Sequence, residues 1–514
     1  MKVIALNGTT VRALGATTAL VLGSTLFSAA PSYASGGTNA AVSDYLYGLK
    51  YDKEQLLAYQ GETVSNIPPT QTEEKNGQFI VVSKEKKALS SPSVDIAVTA
   101  SDDRTFPGAV LQANAGLMEN NPTLISARRS PAVLSVDLPG MSNGDNSIVV
   151  TQPSTSSVRS GINTLLDRWN SQYSLTYPNI PAKIQYSESM AYSLSQLKVN
   201  FGLSFEKVAK PLDINFSAVS SGDKQIQIVN FKQIYYTVSM DAPENPGDVF
   251  ASEVTPQDLQ SRGVSDSTPP VYVSNVAYGR SMYIKLETSS KSDKVTAAFS
   301  AAIKGVDVRA NAELQHILDD TSFTAVILGG NAGLATTIVG AKPDGTPGPG
   351  IGQLDDIIQE GALYGKLSPG VPISYSTSFL KDNTPAVSIN SSEYIQTKAT
   401  AFNNGSINLD HSGAYVARFQ IHWDELGYDS SGQPVMVAKS WDGNNQDRTA
   451  HFSTTIPLKG NARNLRIQAI EATGLAWEPW RTVYYRENLP LVGSRTIKIG
   501  GTTLHPSVSE EITN

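Results

Sequence analysis

The chain has 514 residues, with 40 lysine and arginine residues against 47 aspartate and glutamate residues, so its formal net charge is −7. It contains no cysteine, which excludes disulfide-framework folds, thiolate metal sites and cysteine nucleophiles. The mildly acidic balance argues against binding held mainly by nucleic-acid phosphates, because such binding requires a net basic face. At this length we expect about three or four domains.

The N-terminus has the pattern of a secretory signal peptide. Lys2 and Arg12 precede a mostly apolar run over 13–27, and small residues follow up to Ala34. We therefore predict a signal peptide over 1–34 and a protein that is soluble when secreted. No later apolar run reaches the roughly 18 residues of a membrane-spanning helix.

Most of the following chain has the character of strands. Apolar and β-branched residues cluster at 79–82 and 132–136, while helical patterns are shorter, at 158–173, 256–262 and 354–359. The sequence therefore predicts an α+β fold in which strands dominate.

Two changes of composition mark candidate boundaries in the second half. The run 342–352 is dense in proline and glycine, which predicts an exposed, irregular loop. After about Asn404 the chain shows short strands and turn clusters, which indicates a separate all-β module. This module contains four of the five tryptophans, namely Trp423, Trp441, Trp477 and Trp480.

Two segments alternate apolar and polar residues and then reverse phase. In the first, odd-numbered positions are apolar over 197–205 and even-numbered positions are apolar over 212–218. The second repeats the arrangement over 295–314, with its switch at Lys304-Gly305. This is the pattern of a hairpin with one face toward hydrocarbon and the other toward water.

The same segments permit other interpretations. In the first, apolar residues from Leu197 to Val219 are also spaced as one helical stripe, which Pro211 would interrupt. Such a sequence can pack as short helices on a soluble core and later re-form as strands. On the pattern alone, ordinary soluble antiparallel strands are favoured, because they alternate too. Hairpins that enter lipid must close into a barrel of many copies, because unpaired backbone groups are costly there.

Eleven residues near the C-terminus form a motif with two tryptophans, a glycine and an arginine: Glu471-Ala472-Thr473-Gly474-Leu475-Ala476-Trp477-Glu478-Pro479-Trp480-Arg481. The motif resembles the undecapeptide of the cholesterol-dependent cytolysins. Five further stretches are similar to that family, at 104–109, 137–140, 273–280, 326–330 and 501–504. The resemblance covers nearly the whole mature chain in family order.

The resemblance implies a secreted bacterial pore-forming toxin, not an enzyme, with four domains in an elongated chain. The implied fold has a central twisted antiparallel sheet flanked by helix clusters, and a C-terminal β-sandwich. The implied boundaries are 35–58, 95–183, 234–279 and 358–386 for domain 1, 59–94 and 387–403 for a linking domain 2, 184–233 and 280–357 for a pore-forming domain 3, and 404–514 for a membrane-binding domain 4.

The resemblance also implies membrane-binding residues. Thr503 and Leu504 match the family's pair that is taken to recognise cholesterol. The undecapeptide is implied to dip into the bilayer together with Ala414 and Ala450 on neighbouring loops. The preference of tryptophan for membrane interfaces agrees with this placement.

Assembly and insertion residues are implied in the same way. The segments at about 196–223 and 291–318 fall where the family carries its transmembrane hairpins, stored as helix clusters in the soluble form, which reverses the preference for soluble strands. The residues implied to join subunits in a large homo-oligomeric ring are the aromatic pair Tyr186 and Phe323, the glycine hinge Gly329-Gly330, and Glu188. The basic partner of Glu188 stays unassigned.

Two departures from the family pattern change these expectations. Ala472 stands where most members have cysteine, so sensitivity to thiol oxidation should be absent. Pro479 replaces a tryptophan, as in members with altered receptor use. The tyrosine-x-tyrosine signature of those that bind a surface protein is missing at Tyr428, so direct recognition of membrane cholesterol is favoured over a protein receptor.

Other functions have little support in the sequence. Hydrolase motifs are absent and the five histidines are scattered without ligand spacing, so we expect no catalytic residue, metal or cofactor. The run 442–447 could bind calcium, but Asx turns explain it better. The remaining alternative is a secreted adhesin or carbohydrate-binding protein that uses Trp477 and Trp480 as a sugar platform.

Overall fold

The computed structural model describes residues 39–99, 103–329, 337–339, 354–359, 362–365 and 368–513. The predicted signal peptide, the predicted loop at 342–352 and Gly330 lie outside these ranges.

The helices in the described ranges are α1 (Ala40–Gly48), α2 (Lys53–Leu56), α3 (Ala115–Met118), α4 (Thr155–Gln172), α5 (Leu194–Phe201), α6 (Glu206–Leu212), α7 (Phe216–Ser220), α8 (Pro256–Ser261), α9 (Val295–Ile303), α10 (Ala312–Asp319) and α11 (Leu354–Gln359), with 3₁₀ turns at Leu203–Phe205 and Pro246–Val249. Within those ranges, no helix is both long enough and apolar enough to cross a membrane.

The strands are β1 (Ala58–Gln60), β2 (Gln71–Lys75), β3 (Gln78–Ser93), β4 (Asp95–Ala97), β5 (Val110–Gln112), β6 (Ala132–Val136), β7 (Ser147–Val150), β8 (Ile180–Pro181), β9 (Lys183–Met190), β10 (Gln225–Met240), β11 (Pro270–Thr288), β12 (Thr321–Leu328), β13 (Thr337–Val339), β14 (Leu363–Tyr364), β15 (Val371–Phe379), β16 (Ser388–Asn403), β17 (Gly405–His411), β18 (Ala417–Tyr428), β19 (Pro434–Ser440), β20 (Phe452–Leu458), β21 (Ala462–Leu475), β22 (Glu478–Leu489), β23 (Ser494–Thr502) and β24 (His505–Thr513).

The prediction of a strand-rich α+β fold is confirmed. The predicted strands are β6 and the first part of β3, and the predicted helices are α4, α8 and α11. Helix α4 begins where the Ser154 hydroxyl accepts a hydrogen bond from the backbone N–H of Ser157. It then buries Val158, Leu165 and Trp169 at helical spacing, so its amphipathic pattern is used as the sequence indicates.

The largest sheet is organised around β11. Along one side this strand pairs first with β5 and then with β10, and along the other side it pairs first with β15 and then with β12. The strand order is β13-β12-β11-β10-β6-β7, with β9 also on β10 and β4 on β15. Both β10 and β11 run across the predicted boundaries between domains 1 and 3. The division into four domains stays a prediction.

Helices cover both faces of the part of this sheet that is built from β9 to β13. On one face, α5 to α7 pack over Ile228 and Tyr283. On the other, α9 to α11 pack over Val229 and Leu286. Because successive side chains of a strand point to opposite faces, the neighbours Ile228 and Val229 belong to different cores. The predicted central antiparallel sheet flanked by helix clusters is therefore confirmed.

The two segments that alternate and then reverse phase, termed the dual-period segments, are both helical. The first contains α5 to α7 and the second contains α9 and α10. The preference for soluble strands, drawn from the pattern alone, is therefore wrong, because the apolar stripes pack as helices on the sheet. Pro211 does not interrupt the stripe, since α6 includes it and ends one residue later. The breaks come at Gly202 and Asp213, whose φ angles of 94° and 51° are left-handed.

Two smaller units complete the described chain. Strands β3 and β16 form a long antiparallel pair, flanked by β2 and β1. The C-terminal part is a β-sandwich of one sheet in the order β20-β17-β23-β24 and another in the order β19-β18-β21-β22. Leu409, Phe419 and Ile467 fill its core. The predicted all-β module after about Asn404 is confirmed.

Candidate functional site

Four loops meet at one end of the C-terminal sandwich and are termed the tip loops. They carry Ala414 between β17 and β18, Ala450 between β19 and β20, the undecapeptide between β21 and β22, and Thr503-Leu504 between β23 and β24. Their bases are joined by backbone hydrogen bonds from Ala414 N to Gly501 O at 2.9 Å, from Arg448 N to Ala417 O at 2.8 Å, and from Ala472 N to Val416 O at 2.8 Å. All the residues predicted to touch the membrane are therefore brought together.

The undecapeptide is a β-hairpin rather than an irregular loop. Strands β21 and β22 leave only Ala476 and Trp477 at its turn. Gly474 has a φ of 76°, a conformation that residues with a Cβ adopt only with strain. Pro479 lies near the start of β22, where the register with β21 is irregular. A proline without an N–H is tolerated at such an irregularity.

The apolar side chains at the ends of two tip loops are exposed. Trp477 is 82% exposed and Leu504 is 81% exposed, whereas Trp480 and Thr503 are partly buried. Burying a large apolar side chain that is otherwise in water is favourable by roughly 1.5–3 kcal/mol. The tip therefore presents Trp477 and Leu504, on different hairpins, together with the 40% exposed Leu475, and all three would gain free energy in an apolar phase.

A charged pair joins the undecapeptide to the Thr503-Leu504 turn. The carboxylate of Glu471 is fully buried, and its Oε1 accepts hydrogen bonds from Nε of Arg481 at 2.8 Å and from Nη2. The same Nη2 donates to the carbonyl oxygen of Thr503. The hydrogen bonds with Glu471 raise the pKa of the Arg481 guanidinium above its ordinary value. The first and last residues of the undecapeptide thus position the turn that is predicted to bind cholesterol.

The predicted assembly residues Tyr186, Glu188 and Phe323 lie on the central sheet, and the two aromatic residues of this set do not meet within one molecule. On β9, the Tyr186 hydroxyl donates to Glu188, which also accepts from Nε2 of Gln227 at 3.0 Å. Burial, and then the hydrogen bond to Glu188, raise the pKa of Tyr186. Phe323, on β12, is 1% exposed and packs under α9 to α11. Strands β10 and β11 separate the two aromatic residues.

Of the predicted hinge Gly329-Gly330, the structure describes Gly329, and its conformation requires glycine. Gly329 follows β12 with a φ of 82°, and a Cβ there would lie 2.6 Å from the carbonyl oxygen of Gly279. Beyond it, β13 pairs with the outer edge of β12, with Val339 opposite Thr324. Strand β13 therefore covers the edge that the family resemblance assigns to subunit contact.

The acidic, amide-rich run 442–447 has backbone roles. The side chain of Asn444 accepts a hydrogen bond from Ile421 N at 2.7 Å and donates to Ile421 O at 3.1 Å. Asn445 adopts a left-handed φ of 59°. These are turn functions, as the Asx-turn interpretation predicts. Among the residues that the structure describes, no group of histidines and acidic residues could hold a metal ion.

Sequence reasoning missed Arg418, which contacts Trp480 of the undecapeptide, and Asp447, which accepts a hydrogen bond from Arg418. Arg418 stands between the buried residues Ala417 and Phe419 on β18, and strand alternation could have placed it on the outer face of the sheet. Its contact with Trp480 could not be found in this way, because the partner lies two strands away in the sheet.

Comparison with known proteins defines the class of protein with this helix-covered sheet and sandwich: it is a cytolytic pore-forming toxin, not an enzyme. The family comparison makes this specific: the chain belongs to the thiol-activated cytolysin family, whose model matches residues 41–402, and the β-sandwich domain model of the same family matches 406–507. The family resemblance drawn from the sequence is confirmed.

Three relatives show how complete the match is. Pneumolysin from Streptococcus pneumoniae is 51% identical over 477 residues, which cover 93% of this chain and 99% of pneumolysin. Ivanolysin from Listeria ivanovii is 49% identical and covers 92% of this chain and 89% of its own. The crystal structure of listeriolysin O matches with a TM-score of 0.89 at 44% identity, covering 95% of this chain and 99% of that one. The adhesin alternative therefore has no support.

Proposed function

We propose that this chain is a secreted toxin that binds cholesterol in host membranes through Thr503, Leu504 and the other tip loops. Bound subunits assemble into a large homo-oligomeric ring. The segments at about 196–223 and 291–318 then unfold from their helices and insert as the hairpins of a transmembrane β-barrel, which lyses the cell. Neither a cofactor nor a nucleic acid takes part.

The register of the central sheet is the observation that carries this proposal. Strands β11 and β12 pair with Thr288 opposite Thr321 at the point where the second segment leaves the sheet. Continuing that register into the segment places Ile303 opposite Val306, which leaves Lys304-Gly305 as a two-residue turn. It also pairs apolar residues throughout: Val295 with Leu314, Ala297 with Ala312, Phe299 with Ala310, and Ala301 with Val308.

The first segment behaves in the same way. Strands β9 and β10 pair with Met190 opposite Gln227. Continuing this register places Phe201 opposite Phe216 and Phe205 opposite Leu212. Apolar residues again lie opposite apolar residues across the continued hairpin, although in the present structure this segment is helical.

Both continued hairpins present their apolar residues on the same face of the sheet, the face of Tyr283. In the pairings of this part of the sheet, each odd-numbered residue is opposite an even-numbered one. The face of Tyr283 therefore carries the odd-numbered residues of β9 and β11 and the even-numbered residues of β10 and β12. The apolar residues of both segments continue this numbering. The other face would carry polar residues such as Asn200, Asp307 and Arg309. A sheet between lipid and a water-filled lumen requires one apolar and one polar face.

Assembly follows from the open edges of such a ribbon. Four strands from one chain leave unpaired backbone groups on both sides, and lipid offers these groups no hydrogen-bond partner. Copies must therefore pair edge to edge until the sheet closes. The edges available for this are β9, which carries Tyr186 and Glu188, and β12 once β13 has moved away.

The chemistry of the tip supports cholesterol as the membrane ligand. The turn held by Arg481 offers the Thr503 hydroxyl next to the exposed Leu504 side chain, and a sterol combines one hydroxyl with apolar rings. A structure is known of a disulfide-locked mutant of a relative, intermedilysin, with human CD59. For this chain we propose direct binding to cholesterol without a protein receptor.

Vesicles of defined composition test the membrane proposal. We expect dye release from phosphatidylcholine vesicles that contain cholesterol and none from sterol-free vesicles. Replacing Thr503→Gly together with Leu504→Gly should weaken binding at least about tenfold, because an apolar side chain of this size contributes roughly 1.5–3 kcal/mol. Ile512→Ala, an exposed apolar residue of the same module away from the tip, is the matched control. Equal leakage from both vesicle types would contradict the proposal, and undiminished binding by the double variant would remove the two residues from the site.

An engineered disulfide tests the conversion of the first segment. The Ser204 hydroxyl donates to Ala97 O at 3.0 Å, and Oγ1 of Thr99 donates to Ser204 O at 3.2 Å. Because the chain has no cysteine, Thr99→Cys with Ser204→Cys gives a single reversible link. We expect the oxidised variant to form rings on cholesterol vesicles, seen by electron microscopy, without releasing dye. Reduction should restore release, and the single Ser204→Cys variant should leak throughout. Leakage with the disulfide intact would show that this segment keeps its helices in the pore.

A further inference from the structure

The two tryptophans of the undecapeptide have different environments in water. Trp477 stands exposed at the hairpin turn, whereas Trp480 lies under the guanidinium of Arg418, whose Cζ is 4.0 Å from the ring centroid. Nε of the same guanidinium donates to Oδ1 of Asp447 at 2.6 Å. One cation thus holds both a ring of the undecapeptide and a carboxylate of a second tip loop.

Arg418 reaches across a strand to make this contact. In the outer sheet, β21 lies between β18 and β22. Arg418 is opposite Ile470, and Trp480 is opposite Ala472. The contact therefore spans the outer face of β21 near Ala472, whose small side chain has no polar group that could compete for the guanidinium.

The loop that carries Asp447 is anchored at the same place. Arg448 exchanges two backbone hydrogen bonds with Ala417, the residue before Arg418, at 2.8 and 2.9 Å. Asp447 is thereby fixed beside β18, and its carboxylate orients the planar guanidinium. A lysine could form the ion pair but could not stack as a plane on the indole.

The expected strength of the contact is modest. The Arg418 side chain is 33% exposed and that of Asp447 is 60% exposed, so solvent weakens the ion pair. A cation–π contact at an exposed site shifts an equilibrium by about two- to fivefold. This is enough to keep most Trp480 side chains docked in water while allowing release at a membrane.

We propose that Arg418 is a positioning residue that docks Trp480 on the outer sheet and couples the undecapeptide to the Asp447 loop. The inference rests on the proposed membrane-binding function of the tip. Trp477 and Leu504 make the first contact with the bilayer, and Trp480 enters only after it leaves Arg418. Because one guanidinium holds both loops, the release of Trp480 also uncouples the undecapeptide from the Asp447 loop.

Acrylamide quenching of Trp480 tests the docking in water, without any membrane. The measurement uses Trp477→Phe as the background, and the signal of the Trp477→Phe, Trp480→Phe variant is subtracted. In Arg418→Gln, the ratio of released to docked Trp480, measured from the quenching curve, should rise about two- to fivefold. Acrylamide should quench Trp480 in Arg418→Lys nearly as strongly as in Arg418→Gln. In Asp447→Asn the increase in quenching should be smaller. Arg159→Gln, which loses an ion pair with Asp103 elsewhere, is the matched control and should change nothing.

Unchanged Trp480 quenching in Arg418→Gln would overturn the docking, and unchanged quenching in Asp447→Asn would overturn the coupling between the loops. Cholesterol vesicles then test the order of entry. In Arg418→Gln the blue shift of Trp480 emission should follow binding with a shorter delay than in the background protein. An equal delay would overturn the proposed order. If the unmodified protein failed to bind these vesicles, the proposed function would fail while the quenching result still decided the docking.

Discussion

At the scale of single residues, the tip depends on one buried carboxylate. Glu471 is fully buried, and Arg481 is the cation that neutralises it while holding the Thr503 carbonyl. A buried charge without its partner is strongly unfavourable. The same arginine therefore serves the fold of the sandwich and the shape of the candidate cholesterol site, and a double variant can separate these two roles.

We expect Arg481→Gln to lower the thermal midpoint and to weaken binding to cholesterol vesicles. Adding Glu471→Gln should restore much of the stability, because the uncompensated charge is gone. It should not restore binding, because the bond to the Thr503 carbonyl stays lost. Arg486→Gln, an exposed arginine on the same strand, is the control for both measurements. Recovery of binding in the double variant would contradict a positioning role for Arg481.

Some of the site could be predicted from these residues and some could not. The undecapeptide and the Thr503-Leu504 turn are contiguous in sequence, so motif resemblance found them. The bond from Arg481 to Thr503 joins residues 22 positions apart on different sheets, and no periodicity encodes it. The contact of Arg418 with Trp480 is hidden for the same reason, since strand order decides which side chains meet across a sheet.

At the scale of elements, the bend after β12 depends on a backbone conformation that only glycine adopts without strain. Gly329→Ala should lower the free energy of unfolding by about 1–3 kcal/mol, because its φ is 82° and the new Cβ would approach the Gly279 carbonyl. Gly48→Ala is the control, since a Cβ there meets nothing and its φ is not left-handed. Its effect should stay within about 0.5 kcal/mol. Urea denaturation measures both, and equal effects would show that the bend does not constrain Gly329.

The second helical segment should loosen in acid. Hydrogen bonds from Arg309 lower the pKa of Asp307 to about 2, and those from Lys294 and Ser292 lower the pKa of Glu313. Burial opposes the shift at Asp320, but hydrogen bonds from Ser289 and Thr288 outweigh it and lower that pKa as well.

A carboxylate whose pKa is lower in the folded state stabilises the fold above its ordinary pKa, and this contribution is lost as the pH falls through the folded value. We therefore expect hydrogen-exchange protection of α10, corrected for intrinsic rates, to stay constant from pH 7 to about 5 and to fall below about 4. Asp320→Asn should flatten this dependence. Full protection down to about pH 3 in the unmodified protein would show that these carboxylates do not hold the segment.

The helical state of the dual-period segments illustrates what local sequence leaves open. Leu197, Phe201 and Phe205 are apolar in both periods, so spacing alone cannot choose between helix and strand. The sheet beneath them decides, because Ile228 and Tyr283 offer a core for a helical stripe. The break expected at Pro211 does not occur, because α6 includes this residue and ends at Leu212, although its missing N–H removes one hydrogen bond of the helix.

At the scale of the whole molecule, the strand-rich character and the C-terminal sandwich could be predicted from the sequence. The long strands β10, β11 and β16 could not. The first two are buried on both faces by helices that come from elsewhere in the chain, so they lack simple alternation. The third is largely polar and owes its length to sixteen residues of pairing with β3. Such pairing is non-local, and local propensity does not report it.

The neighbouring placement of each segment's two ends has a kinetic consequence. Met190 already faces Gln227, and Thr288 already faces Thr321, before either segment leaves its helices. The entropy of bringing distant chain ends together, which normally slows the start of a hairpin, was therefore lost when the monomer folded. In the proposed conversion, each hairpin therefore grows from strand pairs that already exist, without a separate nucleation step, and the barrier lies in unfolding the helices.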